Sequence, residues 1–184
     1  MFGKSAALSA VKHLQNLPAA NTAALDAQAN ASQARIRELF LRTDGTESMS
    51  GLRKEMMDTM EKNVGIYRNE AGLQEAVSKI AELRQRYQKV VLNDKSNVFN
   101  TDLFQVLELG SMLDCAEALT VGALARKESR GAHQRLDYVE RDDQNYLRHS
   151  MVTYQGLNPP KVDYLDVVIT RSKPGVRDYS GDHK

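Results

Sequence analysis

The sequence predicts a mainly α fold, a three-helix antiparallel bundle with a short C-terminal β-hairpin extension. Three observations lead there. Leu73, Ala76, Ile80, Leu83, Tyr87 and Val90 recur at spacings of 3, 4, 3, 4 and 3, the a/d seam of a packed helix. Apolar stripes at helical spacing lie on either side of that seam, separated from it by short polar turns. β-prone runs are found only after residue 149.

Taken in order, the first element is a helix over residues 1–17. Phe2, Ala6, Ala10 and Leu14 keep helical spacing, Ala7 and Val11 lie alongside, and Pro18 stops the run. No capping residue precedes it to satisfy its orphan amides, so the chain is expected to begin inside a helix of something longer. "NTAALDAQANASQ" reads as a linker running into a helix whose apolar edge is Ala34, Ile36, Leu39 and Phe40, closed at Gly45. The next helix starts at Ser48 to Ser50, carries Leu52, Met56, Met60 and Val64 on one face, and ends near Gly65–Tyr67.

Asn69 caps the seam helix, and Glu70 sits favourably against the dipole in its first turn. "NDKSN" breaks that run. Asn100 then caps a further helix with Asp102 in its first turn, and Phe99 with Phe104 predicts a hydrophobic staple. Leu109, Met112, Leu113, Ala116, Leu119, Ala123 and Leu124 carry this helix toward Arg126.

Beyond it, a short helical turn is expected at Asp142 or Asp143. "HSMVTYQ" and "VDYLDVVIT" are strand candidates around the turn "GLNPPK". A two-stranded hairpin is marginal in water and needs a surface to lie on, a second reason to expect a larger parent. The polar end "RSKPGVRDYSGDHK" reads as a mobile tail.

Composition narrows the function classes. Hydrophobic residues at 41% and charged residues at 27% describe a globular chain rather than a disordered one. With 25 basic against 24 acidic residues, a net charge of +1 gives no reason to expect a nucleic acid or an anionic membrane as partner. No stretch approaches the roughly 18 apolar residues of a membrane span, and no apolar h-region marks a secretory signal. Cys115 is the single cysteine, which excludes an intrachain disulfide. Its place among apolar neighbours, with no adjacent cation to favour the thiolate, predicts a buried structural thiol. Met56, Met60 and Met112 fall on core stripes and read as core filling.

The densest chemistry lies between Ala125 and His149, where acids, arginines and two histidines crowd together. His133 and His149 stand 16 residues apart with Asp137, Asp142 and Asp143 between them. No H-x-x-x-H spacing puts two imidazoles on one helical face, so no metal site is assigned. General acid–base work by His133 with Asp137 would need a pocket and a substrate, and neither is legible. The pattern reads instead as a charge-paired docking seam built from Glu128, Arg130, His133, Arg135, Asp137, Arg141, Asp142 and Asp143. In it, Arg130 and Arg135 fork onto carboxylates such as Glu128 and Asp137, or onto a neighbouring domain. The Gly3-Lys4-Ser5 triplet lacks the preceding strand and earlier glycine of a phosphate loop, and it lies inside a helical pattern.

The stretch "LARKESRGAHQRLDYVERDDQNYLRHSMVTY" resembles the C-terminal region of the succinate dehydrogenase and fumarate reductase flavoprotein subunits. The matching features are Glu128 to His133, Arg135 and Asp137, Arg141 to Asp143, and His149. Tyr146 stands where many relatives carry tryptophan. Upstream, "MEKNVGIYRNEAGLQEAVSKIAELRQRY" is similar to that family's helical domain, and "FGKSAALSA" is similar to the helix closing its flavin-binding domain.

The resemblance implies a spectrin-repeat-like bundle over residues 24–130, after the end of a flavin-domain helix at 1–17 and before a polar extension at 131–184. It implies a parent that interconverts succinate and fumarate with FAD and passes electrons to an iron–sulfur subunit and a quinone. That places the chain in the cytoplasm, or at the cytoplasmic or matrix face of a respiratory membrane. The family's flavin-binding glycines, flavinylated histidine and substrate-binding residues match nothing here, so no catalytic residue and no cofactor is assigned to this chain. Its expected partners are the flavin-binding domain of the same subunit and the iron–sulfur subunit. The isolated chain, with helix faces uncovered, is expected to self-associate and to be inactive. A stand-alone helical interaction module without redox role is the alternative.

Overall fold

A computed structural model of the chain describes residues 2–172, 174 and 175. Contacts divide it into two compact units, the first ending at Arg42 and the second beginning at Thr43.

The first unit holds two helices, α1 (Phe2–Leu14) and α2 (Thr22–Leu41). No residue of α1 is buried, and its apolar side chains stand open, Phe2 at 90% exposure. Lys4 and Ser5 lie within this helix, which removes the phosphate-loop geometry from the Gly-Lys-Ser triplet. The stretch read as a linker is helical from Thr22 onward. Asn21 supplies the cap, its side chain accepting from the Ala24 amide at 3.2 Å. Alanine and glutamine are strong helix formers, so once capped the segment has little reason to stay irregular.

The second unit is the bundle. Its helices are α3 (Met49–Val64), α4 (Glu70–Tyr87) and α5 (Thr101–Ala125), each packed on the other two. Polar N-caps start them all: Ser48 accepts from Gly51, Asn69 from Gly72 and Asn100 from Leu103. Leu73, Ala76, Ile80 and Leu83 are fully buried, against Leu52, Met56 and Val64 of α3 and Val106, Leu109 and Leu113 of α5 in one core. The seam leaves the helix at its end. Tyr87 is the last helical residue and sends its hydroxyl to the Val106 carbonyl at 2.9 Å. Val90, also buried, instead forms a parallel bridge with Glu47.

Two local expectations fail. Phe99 and Phe104 form no staple, being 97% and 70% exposed. Phe99 has φ 50, a left-handed backbone that turns its side chain away from the helix entry. Cys115 is exposed, because the buried arc of α5 runs through Leu109, Leu113, Ala116, Thr120 and Ala123 and leaves position 115 outside. Strand pairing also precedes residue 149: β1 (Tyr67–Arg68) runs parallel to β2 (Gln134–Arg135), with Tyr67 opposite Gln134. Two-residue strands are too short to show alternation.

After the short α6 (Asp143–Tyr146), β3 (Arg148–Thr153) and β4 (Lys161–Asp166) form the expected antiparallel hairpin, pairing Arg148 with Asp166 through Thr153 with Lys161. The surface it needs is inside the chain: it lies on α5. Gly122 of α5 faces it, and a Cβ there would meet the Val152 side chain at 3.4 Å, an ordinary contact distance. Arg84 of α4, buried between Asp114 and Glu117, holds the hairpin loop through the Gly156 carbonyl at 2.6 Å. Most of the tail read as mobile lies outside the described residues.

Candidate functional site

The antiparallel bundle brings three helix ends together, the C-termini of α3 and α5 and the N-terminus of α4. Each leaves backbone groups without intrahelical partners, carbonyls at the C-termini and amides at the N-terminus. The dipoles add negative potential at the first two and positive potential at the third. The sequence answers each end with the opposite charge.

Arg68, between α3 and α4, donates its Nε to the Val64 and Gly65 carbonyls at 3.1 and 2.9 Å. Arg135 of β2 is fully buried and sends Nη1 toward the Ala123, Leu124 and Arg126 carbonyls at 3.3–3.4 Å. Asp137 accepts from the Glu70 amide, the first of α4, at 2.7 Å. These contacts tie the ends to one another. Arg135 also grips Asp137 with two bonds, Nε to Oδ1 at 2.7 Å and Nη2 to Oδ2 at 2.8 Å, and reaches Glu70 Oε2 at 2.7 Å. The guanidinium lies 4.9 Å from the Tyr138 ring centroid.

Glu128 is the second buried centre. Arg126 and Arg130 share its Oε1, and Oε2 accepts from Arg130 at 3.0 Å and from the Asp142 amide at 2.8 Å. Burial would push its carboxyl up. The hydrogen bonds from Arg130, the Asp142 amide and Arg126 outweigh that effect and hold it below the ordinary glutamate value. The Arg135 fork likewise lowers Asp137 to about 2. Arg130 continues outward to Asp143 at 2.6 Å, and Arg141 meets the other Asp143 oxygen at 2.9 Å. Arg126 reaches the Tyr146 and Arg148 carbonyls at 2.8 and 2.6 Å, fastening the hairpin to the same node.

The chain turns tightly between Arg130 and His133, which exchange both backbone hydrogen bonds. Gly131 has φ 59 there, a conformation glycine adopts without strain. The turn puts His133 Nδ1 2.9 Å from Arg68 Nη1 and Nε2 3.1 Å from the Arg126 carbonyl. A guanidinium only donates, so Nδ1 accepts and Nε2–H donates, which makes the ring neutral.

Seven of the eight seam residues read from the sequence thus join one network, and Arg141 touches it through Asp143. Asp142 contributes through its backbone and by capping α6 at the Asn145 amide, 3.0 Å away. His149 is exposed on β3, opposite Leu165 of β4. Sequence reasoning missed Arg68, Glu70 and Arg126 as members. Arg68 and Glu70 lie more than 60 residues from their partners, and no local spacing announces them. Also missed was a second arginine node, where Arg86 is bidentate to both Glu47 and Glu55 at 2.8–2.9 Å and holds the Glu55 carboxyl down at about 2.

Chemically, the seam is closed on itself. Its arginines are occupied by the chain's own carboxylates and carbonyls, and among the described residues no cluster of three or more His, Cys, Asp or Glu side chains could hold a metal ion. No helix among them is long and apolar enough to cross a membrane.

A helical bundle closed by an arginine–carboxylate seam, with a hairpin strapped to its last helix, defines a helical-bundle domain. Residues 53–179 match the family described as fumarate reductase flavoprotein C-term. The fumarate reductase flavoprotein subunit of Haemophilus influenzae is 44% identical over 182 residues, 99% of this chain and 30% of that protein. The succinate dehydrogenase flavoprotein subunit of Rickettsia bellii is 34% identical over 92% of this chain and 28% of its own. A solved Escherichia coli quinol fumarate reductase chain superposes with a TM-score of 0.88 at 41% identity, over 95% of this chain and 30% of that one. The chain belongs to the C-terminal family of the fumarate reductase and succinate dehydrogenase flavoprotein subunits, and it spans about 30% of the length of those relatives.

Proposed function

We propose that the chain is the structural part of a flavoprotein subunit that interconverts succinate and fumarate, and that it carries none of the catalytic groups. The observation that carries this reading is the closed seam. Its buried charged groups, Arg135, Asp137 and Glu128, are engaged by groups of the same chain, and the family match spans the seam. In this reading FAD belongs to the remainder of the subunit, residues 1–17 continue its flavin-binding domain, and the 131–184 extension lies against it. The bundle would begin at Thr43 or earlier, within the 24–130 span. The rim residues Arg141, Asp142 and Asp143 are the docking candidates, because the buried members of the seam have no free face to offer. The iron–sulfur subunit is the expected second partner, at the cytoplasmic or matrix side of a respiratory membrane.

The test is direct. The purified chain is expected to bind no FAD in stoichiometric amount and to turn over no succinate with a dye acceptor. Either activity would overturn the structural reading. A full-length subunit carrying charge-reversed Arg141 and Asp143 should keep its fold but assemble less completely. Unchanged assembly would remove the rim from the interface.

A further inference from the structure

We infer that His133 is a proton-sensitive latch: its neutral ring holds β1 against β2 and so fastens the α3–α4 turn to the segment following α5. The geometry makes the ring a bridge between one fixed donor and one fixed acceptor. Arg68 Nη1 donates to Nδ1 at 2.9 Å, and Nε2–H donates to the Arg126 carbonyl at 3.1 Å. A proton on Nδ1 would remove the only acceptor that Arg68 Nη1 has in this contact, and would set an imidazolium against a guanidinium.

The charged groups around the ring reinforce the effect. Arg68 faces it from β1, Arg126 from the end of α5 and Arg135 from β2, and all three oppose a further positive charge. The acids of the neighbourhood are committed elsewhere: Glu70 of α4 and Asp137 bind Arg135, and Glu128 binds Arg126 and Arg130. Burial of the ring is the largest effect and lowers its pKa; the hydrogen bond to the Arg126 carbonyl opposes it, the three arginines add to it, and the net result holds the imidazole below its ordinary value of 6.5.

The pairing that depends on the latch is short. β1 and β2 share two residues each, supported by the Leu136 amide donating to the Arg68 carbonyl at 2.8 Å. Such a ladder has little stability of its own, so losing the Arg68–His133 bond should release it. The sign follows from linkage. A base whose folded pKa is depressed stabilises the closed form fully above the open-state pKa, and that contribution is lost as pH falls through the folded value.

The experiment uses the whole chain, isotopically labelled. Nuclear magnetic resonance should show His133 as a single Nε2–H tautomer at neutral pH, titrating below 6.5. Hydrogen exchange at the Leu136 amide should lose protection about tenfold per pH unit between the open-state and folded pKa values. His133→Gln keeps an acceptor for Arg68 and a donor for the Arg126 carbonyl without a titrating proton, and its protection should be flat across that window. The latch is overturned if His133 titrates at 6.5 or above, or if the variant loses protection in parallel with the parent chain. Should the variant fail to fold, the titration and tautomer of the parent chain decide alone.

Discussion

Glu128 shows how a charge can be buried in a chain this small. Its side chain has no solvent exposure, yet both oxygens are satisfied by Arg126, Arg130 and the Asp142 amide. Removing Glu128 would take from Arg126 and Arg130 the carboxylate they share, leaving Arg130 with the Asp143 carboxylate alone. Glu128→Ala should therefore cost about 3–5 kcal/mol, read as a lowered midpoint in urea unfolding. Glu128→Gln keeps the shape and should cost less. Asp137 adds a pH dependence. Its carboxyl falls from an ordinary 3.8 to about 2 because Arg135 forks onto it. Its contribution is thus complete above about pH 4 and is lost as pH falls toward 2. Asp137→Asn should flatten the acid limb of the stability curve in this range. A limb as steep as that of the parent chain would remove Asp137 from the network's acid response.

Among the elements, caps and close approaches matter more than length. Asn69 starts α4 by accepting from the Gly72 amide at 2.8 Å, and Asn69→Ala should cost about 1 kcal/mol. Gly45 tests a different constraint. A Cβ there would run into the Lys89 carbonyl and the Val91 side chain, where the segment entering α3 crosses the end of α4. The carbonyl is backbone and cannot step aside, so Gly45→Ala should destabilise by about 1–3 kcal/mol. Thermal unfolding of the variant checks this, and an unchanged midpoint would mean that the crossing relaxes. The hairpin depends on α5 in the same way. α5 supports it from below and Arg84 holds its loop, so a strand pair that is marginal by itself becomes part of the second unit.

For the whole molecule, the exposed side chains of α1 carry the consequence. Phe2, Leu8, Val11 and Leu14 all stand open to solvent on a helix with no buried residue. Apolar surface of this kind favours association, so the purified chain should sediment as concentration-dependent oligomers. Truncation before Thr22 should shift it toward monomer while the bundle stays folded. A monomer at all concentrations with an ordered α1 would contradict this. The truncation also separates the contribution of α1 from that of Phe99 and Phe104, which are exposed in the second unit.

By itself the sequence determined the helical class, the caps at Asn69 and Asn100, the buried seam from Leu73 to Leu83 and the hairpin. These depend on periodicity and local hydrogen bonding, which neighbouring residues specify. It also carried the family, through Glu128 to His133 and the acids after Arg141. What only the tertiary structure decided involves partners distant along the chain. Cys115 turned outward because three-dimensional packing selects which arc of an apolar helix is buried. Phe99 swung away because its backbone turned left-handed. The crowded span from Ala125 to His149 became a clasp because folding brought Arg68 and Glu70 to it from more than 50 residues upstream. Helix ends need charges of opposite sign, and only the assembled bundle shows which ends must be served together.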